Sequence, residues 1–233
     1  DVIGHDGLLR PAMHYRWNYP AENLQFVHHH FLYAQRDTPE RAEKTEHMMN
    51  RMRQVTEVFG VTKQSQPLVE TLYTEYLDVL NRHFEHYPYL LGWKPCIGDF
   101  GLLAPMYAHL GRDPYPASLM QKRAPRVYRW VERMNRADQD VPEFFTPGTD
   151  FLENDEIPET LMAVLRVVAE DFVPETRAAA ERINDWLGRQ QPEAGAAAVG
   201  RLGNLVGSAE FSVRGQTITA LASPYRFYLL QRV

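Results

Sequence analysis

The sequence contains a single cysteine, Cys96, among 233 residues. A disulfide within the chain needs two cysteines, so no internal disulfide framework is possible. Low cysteine usage of this kind is typical of proteins from reducing compartments. We therefore expect a cytoplasmic location and a fold that is stabilised by its hydrophobic core.

Long apolar runs are also missing. No segment approaches the roughly 20 apolar residues of a membrane-spanning helix, and the opening stretch DVIGHDGLLRPAMHY lacks the basic and apolar regions of a secretory signal. We expect no membrane association. Because the first residue is Asp1 rather than methionine and a helical pattern follows at once, we expect the chain to be part of a longer polypeptide.

Positive charge is in the minority, with 25 Lys and Arg against 30 Asp and Glu and a net charge of -5. A surface that follows nucleic-acid phosphates needs a basic excess, so we expect no nucleic-acid partner. Apolar residues make up 44% and charged residues 24% of the chain, which is the usual composition of a globular protein.

A run of three histidines at 28–30 is the one sequence that invites a metal interpretation. Neighbouring positions on a helix point about 100° apart, so three consecutive side chains cannot converge on one ion. The chain has no H-E-x-x-H motif and no cysteine pair. We expect no metal site and interpret the run as histidines of the surface or of a dimer interface; the alternative is that His29 or His30 binds a metal together with a distant partner.

Helical periodicity covers most of the chain up to residue 190. A polar, proline-bearing loop is predicted at 138–156, followed by a long helix from about 158 to 189.

From residue 191 onward the helical periodicity ends. A small-residue linker precedes AEFSVRGQTITALA, whose alternation of apolar and polar residues predicts a β-hairpin turning at Arg214 and Gly215. The prediction is an all-α helical bundle over 1–190, with a linker and a hairpin-like extension over 191–233 that packs on the bundle. The last eleven residues are expected to form a short helix capped by Ser223.

The most apolar segment, CIGDFGLLAPMYAHL, spans residues 96–110. Because it is apolar all round, it predicts a central helix surrounded by other helices. Asp99 lies three residues after Cys96, where its carboxylate can accept N–H groups at the helix start and complement the helix dipole. We interpret Cys96 and Asp99 as a structural N-cap; the alternatives are a catalytic acid and a nucleophilic thiol. Met106 and Tyr107 are expected in the core or at the floor of an apolar pocket.

The densest group of functional side chains is MHYRWNYP at 13–20. His14, Tyr15, Arg16 and Trp17 span a full helical turn, so only one or two of them can face the same cleft. Arg16 could bind a carboxylate with two hydrogen bonds, and His14 or Tyr15 could bond a thiolate or substrate. The alternative is that the aromatic rings pack in the core and Arg16 pairs with an acidic neighbour.

The stretch PCIGDFGLLAPMYAHLGRDPYPASLMQKRAPRVYRWVERM resembles the heart of the C-terminal all-helical domain of the glutathione transferase superfamily. In that family a buried helix begins with a Ser/Thr-x-x-Asp capping box, and the next helix has an aromatic pattern like APRVYRWVERM. GLLRPAMHYRWNYP is similar to the first helix of the domain in a bacterial subset. The resemblance covers residues 96–134, and 6–95 by helix order. Cys96 departs from the family, which has Ser or Thr at this place.

The resemblance implies a two-part protein. A thioredoxin-like domain, for which this chain has no strand pattern, would bind glutathione and activate its thiol. The helical domain would build the pocket for a small apolar electrophile, with His14, Tyr15, Arg16, Trp17, Met106 and Tyr107 as candidate binding residues, and would contribute to a homodimer. The catalytic residues stay unknown. The alternative is a module of the same fold that binds a protein or an apolar ligand without catalysis.

Overall fold

The computed structural model describes residues 7–136, 141–195 and 206–222. These ranges contain eight α-helices and one two-stranded antiparallel sheet. A mostly helical fold with a small hairpin near the C-terminus is therefore confirmed. The helices are α1 (Leu9–Asn18), α2 (Pro20–Ala34), α3 (Arg41–Val58), α4 (Gln66–His83), α5 (Ile97–Pro105), α6 (Pro114–Arg123), α7 (Pro125–Met134) and α8 (Glu159–Gln190).

Prolines occupy the first or second position of α2, α4, α6 and α7. The ring fixes φ near its helical value, and the missing N–H would have had no partner in the first turn. At α3 the sequence Thr38-Pro39 has the pattern of a cap followed by a first-position proline, but the helix does not begin there. The helix begins at Arg41, because residues before it form a tight turn in which Arg41 N–H donates to Thr38 O at 2.9 Å.

The helix α5 changes its winding at Pro105. Residues Met106–Leu110 form a π-helical turn, and Gly111 N–H donates to Met106 O at 2.6 Å, five residues back. Pro105 has no N–H to give to Gly101, so the regular ladder is already interrupted there. Such wide turns are rare inside helices, and this one brings His109 and the turn after it towards α1.

The centre of the bundle is α4, and this corrects the expectation that 96–110 is the surrounded helix. Nine residues of α4 are buried, including the fully buried Leu77 and Leu80. In α5, Ile97 is 74% exposed and Phe100 is 55% exposed. Apolar composition all round does not by itself bury a helix, because burial needs neighbours on every side, and the described residues cover only one face of α5.

The hairpin consists of β1 (Ser208–Val213) and β2 (Gln216–Leu221), as the alternation predicted. Arg214 and Gly215 both have positive φ, 51° and 78°, as in the two-residue turns that match strand twist. The inward side chains pack on α4 and α8, with Phe211, Val213, Ile218 and Ala220 against Leu68 and Leu72. The predicted cap at Ser223 lies outside the described residues.

The longest helix, α8, runs through Pro174 without ending there. It lies along α4 and carries the hairpin on its flank. Before it, residues 141–152 are irregular and Glu153–Asp155 form one 3₁₀ turn. Among the residues that the structure describes, no helix combines the length and the apolar character needed to cross a bilayer.

Candidate functional site

The four residues predicted as a cluster, His14 to Trp17, lie on two different faces of α1. His14 and Tyr15 are 1% exposed and point into the bundle, whereas Arg16 and Trp17 line cavities at the surface. The expectation that only one or two could share a cleft agrees with this separation, which follows from the helical turn of about 100° per residue.

His14 is the buried member of a partly exposed polar network. Its Nε2 lies 2.9 Å from Oε1 of Glu70, and Asn18 Nδ2 lies 3.1 Å from its Nδ1. Tyr19 donates its hydroxyl to the same Glu70 oxygen at 2.6 Å. Burial lowers the pKa of His14, opposed by the bond to Glu70 and its charge. A neutral imidazole that donates from Nε2 to Glu70 and accepts from Asn18 satisfies this arrangement.

Tyr15 lies in a group of phenol rings, stacked on Tyr19 and Tyr115 and tilted against Tyr73. Its ring centroid is 5.5 Å from that of Tyr19, 5.9 Å from Tyr115 and 5.2 Å from Tyr73. Burial raises the pKa of Tyr15 far above its usual range, and the charge of Glu70 adds to this. The ring is a packing element held away from the cavities that Arg16 and Trp17 line, which corresponds to the structural alternative considered from the sequence.

Arg16 connects α1 to the turn that follows the π-helix. Its Nε and one terminal nitrogen donate to the two oxygens of Asp113 at 2.7 and 2.8 Å, and the same terminal nitrogen reaches Ala108 O at 3.1 Å. Asp113 is fully buried. The carboxylate predicted for Arg16 is thus supplied by the chain itself, and the guanidinium charge is balanced there.

An apolar cleft of about 220 Å³ opens between α1, α2, α3 and the π-turn. We call it the Trp17 cleft. Trp17 and Phe31 form its wall, with ring centroids 6.1 Å apart, and Arg16 lies at its edge. The remaining lining residues are Leu9, Met13, Met52, Val55, Phe59 and His109. A cleft with these walls excludes water from an apolar ligand and holds a flat ring against Trp17.

Two neighbouring cavities share residues with the Trp17 cleft. One of about 270 Å³ is lined by Arg16, Trp17, Pro20, Leu24, Val27 and Arg53. The other, of about 140 Å³, lies between α2 and the π-turn and includes Arg16, Ala108, Arg112 and Asp113 among its lining residues. Arg16 therefore lies where three openings meet.

Met106 and Tyr107 lie in different surroundings. Met106 is fully buried in the main core, which is one of the two predicted placements. Tyr107, in the π-turn, is 40% exposed, with the Arg112 guanidinium 5.7 Å from its ring centroid. Neither side chain lines the Trp17 cleft, because successive helical positions diverge and the π-turn redirects those after Pro105.

Cys96 and Asp99 form a reciprocal capping box at the start of α5. Asp99 Oδ2 accepts the Cys96 N–H at 2.9 Å and its thiol at 3.2 Å, while Oδ1 accepts the Leu90 N–H at 3.1 Å and Trp130 Nε1–H at 2.9 Å. Burial raises the pKa of Asp99, opposed by these bonds. Burial and the Asp99 charge raise the pKa of the Cys96 thiol, which disfavours the thiolate that a nucleophile needs.

The outer face of α5 is an apolar stripe. Ile97, Phe100 and Ala104 repeat at intervals of three and four residues, so they align along one side of the helix, and Tyr107 follows them in the π-turn. All four are exposed. Ala108, which follows the stripe, lines the small cavity beside Arg16. Ile97, Phe100 and Tyr107 are large apolar side chains, and a contiguous exposed apolar patch is a candidate contact region.

The three histidines at 28–30 have separate neighbours. His28 lies 3.5 Å from Glu46, the His29 ring contacts Tyr33, and His30 Nδ1 lies 3.0 Å from Phe26 O. Within the described ranges no group of three or more His, Cys, Asp or Glu side chains is placed to hold a metal ion.

Sequence reasoning missed two residues at these sites. Arg53 contributes to the cavity beside Trp17 from the facing helix α3, and Glu70 joins His14 to Tyr19 from α4. Both are charged residues on amphipathic helices, and in the sequence they look like any solvated position. Their roles depend on which helices meet, which periodicity alone does not determine.

Comparison with known proteins identifies no relative of this chain. No family model matches the sequence, no curated protein matches it, and no solved structure matches it.

Proposed function

We propose that this chain is the helical half of a glutathione transferase-like protein. The Trp17 cleft would bind a small apolar electrophile, and a thioredoxin-like domain outside this chain would present glutathione. The observation that carries the proposal is the exposed apolar stripe along α5 and into the π-turn, where Ala108 lines the small cavity beside Arg16. A second folded unit seated on this stripe would cover the exposed rings and stand next to the cleft.

Three features support the kinship with that family. The start of α5 has the reciprocal capping box expected there, although Cys96 replaces the usual hydroxyl residue. The aromatic pattern APRVYRWVERM forms α7, and its Trp130 is fully buried and hydrogen-bonded to Asp99. The Trp17 cleft lies on the first helix, where the family builds its co-substrate pocket.

The chemistry assigned to this chain is binding and orientation. Burial of about 150 Å² of a flat apolar ligand gives about 4 kcal/mol at 25 cal/mol per Å². In the reaction, the sulfur of glutathione would form a bond to the electrophilic carbon while a leaving group departs with its electron pair, and the thiol proton would go to solvent. Arg16 is neutralised by Asp113 and Tyr15 is buried, so the proposal places thiolate stabilisation in the other domain.

The proposal includes a homodimer and a cytoplasmic location. A single, half-buried cysteine fits a reducing compartment. The stripe on α5 gives a direct test of assembly. Phe100→Glu should leave the melting temperature nearly unchanged, because Phe100 is 55% exposed, while sedimentation equilibrium shows weaker association of this chain with the folded unit that covers the stripe. Tyr33→Glu, at a site on α2 that is 67% exposed and outside the stripe, is the matched control. Equal association of the two variants would contradict an interface at the stripe.

The enzymatic claim is tested on the intact protein, with any segment that precedes Asp1 included. We expect retention on immobilised glutathione and conjugation of 1-chloro-2,4-dinitrobenzene that saturates with the electrophile. Val55→Asp, in the wall of the Trp17 cleft, should raise KM for the electrophile about tenfold and leave KM for glutathione unchanged. Val58→Asp, on the same helix and outside the cleft lining, is the control. Absence of both retention and conjugation would refute the transferase function.

A second candidate is an apolar-ligand binder without catalysis. It is favoured by one observation: helices of this chain alone supply every wall of the Trp17 cleft. In that case a neutral ligand such as naphthalene would bind without glutathione, the Val55→Asp substitution would weaken it, and no conjugate would form.

A further inference from the structure

The cavity between Trp17 and α3 differs from the Trp17 cleft in its charge. We call it the Arg53 cavity, lined by Arg16, Trp17, Pro20, Leu24, Val27 and Arg53. Its volume is about 270 Å³, and it adjoins the cleft because Arg16 and Trp17 line both. Apolar side chains and two guanidinium groups thus surround one small space.

The two guanidinium groups are not equivalent. Arg16 has the buried carboxylate of Asp113 as its partner at 2.7 and 2.8 Å, so its charge is balanced. Arg53 donates to Asn50 Oδ1 at 3.3 Å and lies 5.5 Å from the Trp17 ring centroid. Among the described residues no carboxylate lies within ion-pair distance of Arg53. The cavity therefore carries one uncompensated positive charge.

Trp17 contributes its indole ring to the same wall. The indole is 8% exposed, and its buried Nε1 has no hydrogen-bond partner among the described residues. A buried N–H without an acceptor is unfavourable, and native proteins seldom leave one. Because protein atoms cover Nε1, a ligand in the cavity would meet the ring of Trp17 and the unbalanced charge of Arg53.

We propose that the Arg53 cavity binds a small organic acid, with its carboxylate on Arg53 and its ring against Trp17, Leu24 and Val27. The single net charge of the site matches a monocarboxylate. A volume near the lower end for ligand pockets restricts the apolar part to one or two rings. This inference goes beyond the proposed function and is independent of thiol chemistry, since it needs only the residues of this chain.

The test is calorimetric titration of the 233-residue chain with 2-naphthoate and with its neutral isostere 2-naphthamide. We expect the carboxylate to bind at least tenfold more tightly than the amide at low salt, with the difference reduced at 0.5 M NaCl. Arg53→Gln should lower the affinity for 2-naphthoate to that of the amide and leave the amide unchanged. Arg51→Gln, which removes an exposed arginine of the same helix outside the cavity lining, should change neither.

Several results would contradict the proposal, and each can be told apart from a failure of the transferase proposal. Equal affinities for the two ligands, or equal effects of the Arg51 and Arg53 substitutions, would overturn the proposal, as would binding of neither ligand at millimolar concentration. Melting temperatures verify that both variants are folded, which we expect because Arg53 and Arg51 are exposed on α3. Because no glutathione is present, failure here would leave the transferase proposal intact, and failure of the conjugation assay would leave this inference intact.

Discussion

His83 is a fully buried histidine with both ring nitrogens in use. Its Nδ1 lies 3.0 Å from the Thr160 hydroxyl and its Nε2 lies 3.3 Å from Tyr89 O. The geometry fits a neutral ring that donates from Nε2 and accepts from Thr160. The pKa of His83 is lowered to about 4, mainly by burial; backbone bonds to Tyr89 and Leu90 oppose the shift, and the nearby His86 adds to it.

This histidine should make the protein sensitive to acid. In the unfolded chain its pKa is about 6.5, so between pH 6.5 and 4 the unfolded state binds a proton that the folded state does not. The contribution of neutral His83 to the free energy of unfolding is fully present above pH 6.5. It is lost as the pH falls, by about 2 kcal/mol at pH 5. His14, whose pKa is also lowered by burial, acts in the same direction.

Urea unfolding of His83→Gln at pH 7 and pH 5 measures the effect. The variant should be less stable than the native chain at pH 7 but should lose less stability between the two pH values. His29→Gln, at an exposed position of α2, is the control and should keep the native pH dependence. An unchanged loss in His83→Gln would show that other groups dominate acid unfolding.

Asp99 shows how far sequence reasoning reaches at single residues. Its spacing from Cys96 predicted the cap, because a capping box is a local pattern of four residues. The bonds to Trp130 and Leu90, 31 and 9 residues away, could not be read from the sequence since they depend on how α5 and α7 cross. The same holds for Arg16: its pairing with an acid was a stated alternative, but Asp113, 97 residues away, could not be named.

At the scale of elements, Gly188 and Gly215 allow the effect of backbone conformation on stability to be measured alone, because an added side chain would contact no other atom. A Cβ added at Gly188 or at Gly215 would meet nothing within 4 Å. Gly188 lies inside α8, where glycine costs about 0.5–1 kcal/mol relative to alanine. Gly215 has φ of +78° in the hairpin turn, a conformation unfavourable for residues with a side chain by about 1–2 kcal/mol.

Alanine at these two positions should therefore have opposite effects. Gly188→Ala is expected to stabilise the chain by about 0.5–1 kcal/mol, and Gly215→Ala to destabilise it by about 1 kcal/mol. Chemical unfolding of both variants, each the control of the other, checks the difference. A stabilising Gly215→Ala would contradict the left-handed conformation at the turn.

Elements with strong periodicity were the easier part of the fold to predict. The hairpin and its turn follow from alternation and from the two turn residues, which are local signals. The role of α5 was misjudged because composition reports what a helix could bury and not what surrounds it. A segment with equal apolar content on both faces can lie at the centre or at an interface, and only the packing of α4 decides between them.

At the scale of the molecule, Arg10 joins four parts of the chain. Its side chain is 4% exposed and bonds Asp171 and Glu175 of α8 as well as Phe59 O at the end of α3. The ring of Phe211 in β1 lies 5.3 Å from its guanidinium carbon. Burial raises the pKa of Asp171, opposed by the charge of Arg10. Without Arg10, two carboxylates would share an apolar site.

Arg10→Met should destabilise the protein by about 3–5 kcal/mol, because buried charges lose their partner. Arg214 gives the contrast: it bonds Glu75 and Glu170 with similar geometry, but its side chain is 35% exposed. Arg214→Ala should cost less than about 1 kcal/mol. Denaturant melts of both variants measure this, and similar losses would mean that exposure does not govern the strength of these pairs.

The docking of the hairpin has a consequence for the order in which this protein acquires its shape during synthesis. Leu68 and Leu72 of α4 are covered by strands about 140 residues later in the chain. Gly60 is likewise pressed against Ile218 and Thr219. When only the first 190 residues have left the ribosome, the bundle still exposes the apolar side chains of Leu68 and Leu72 to water. The bundle becomes complete only after translation has passed residue 221, so we expect the nascent chain to depend on protective contacts until then.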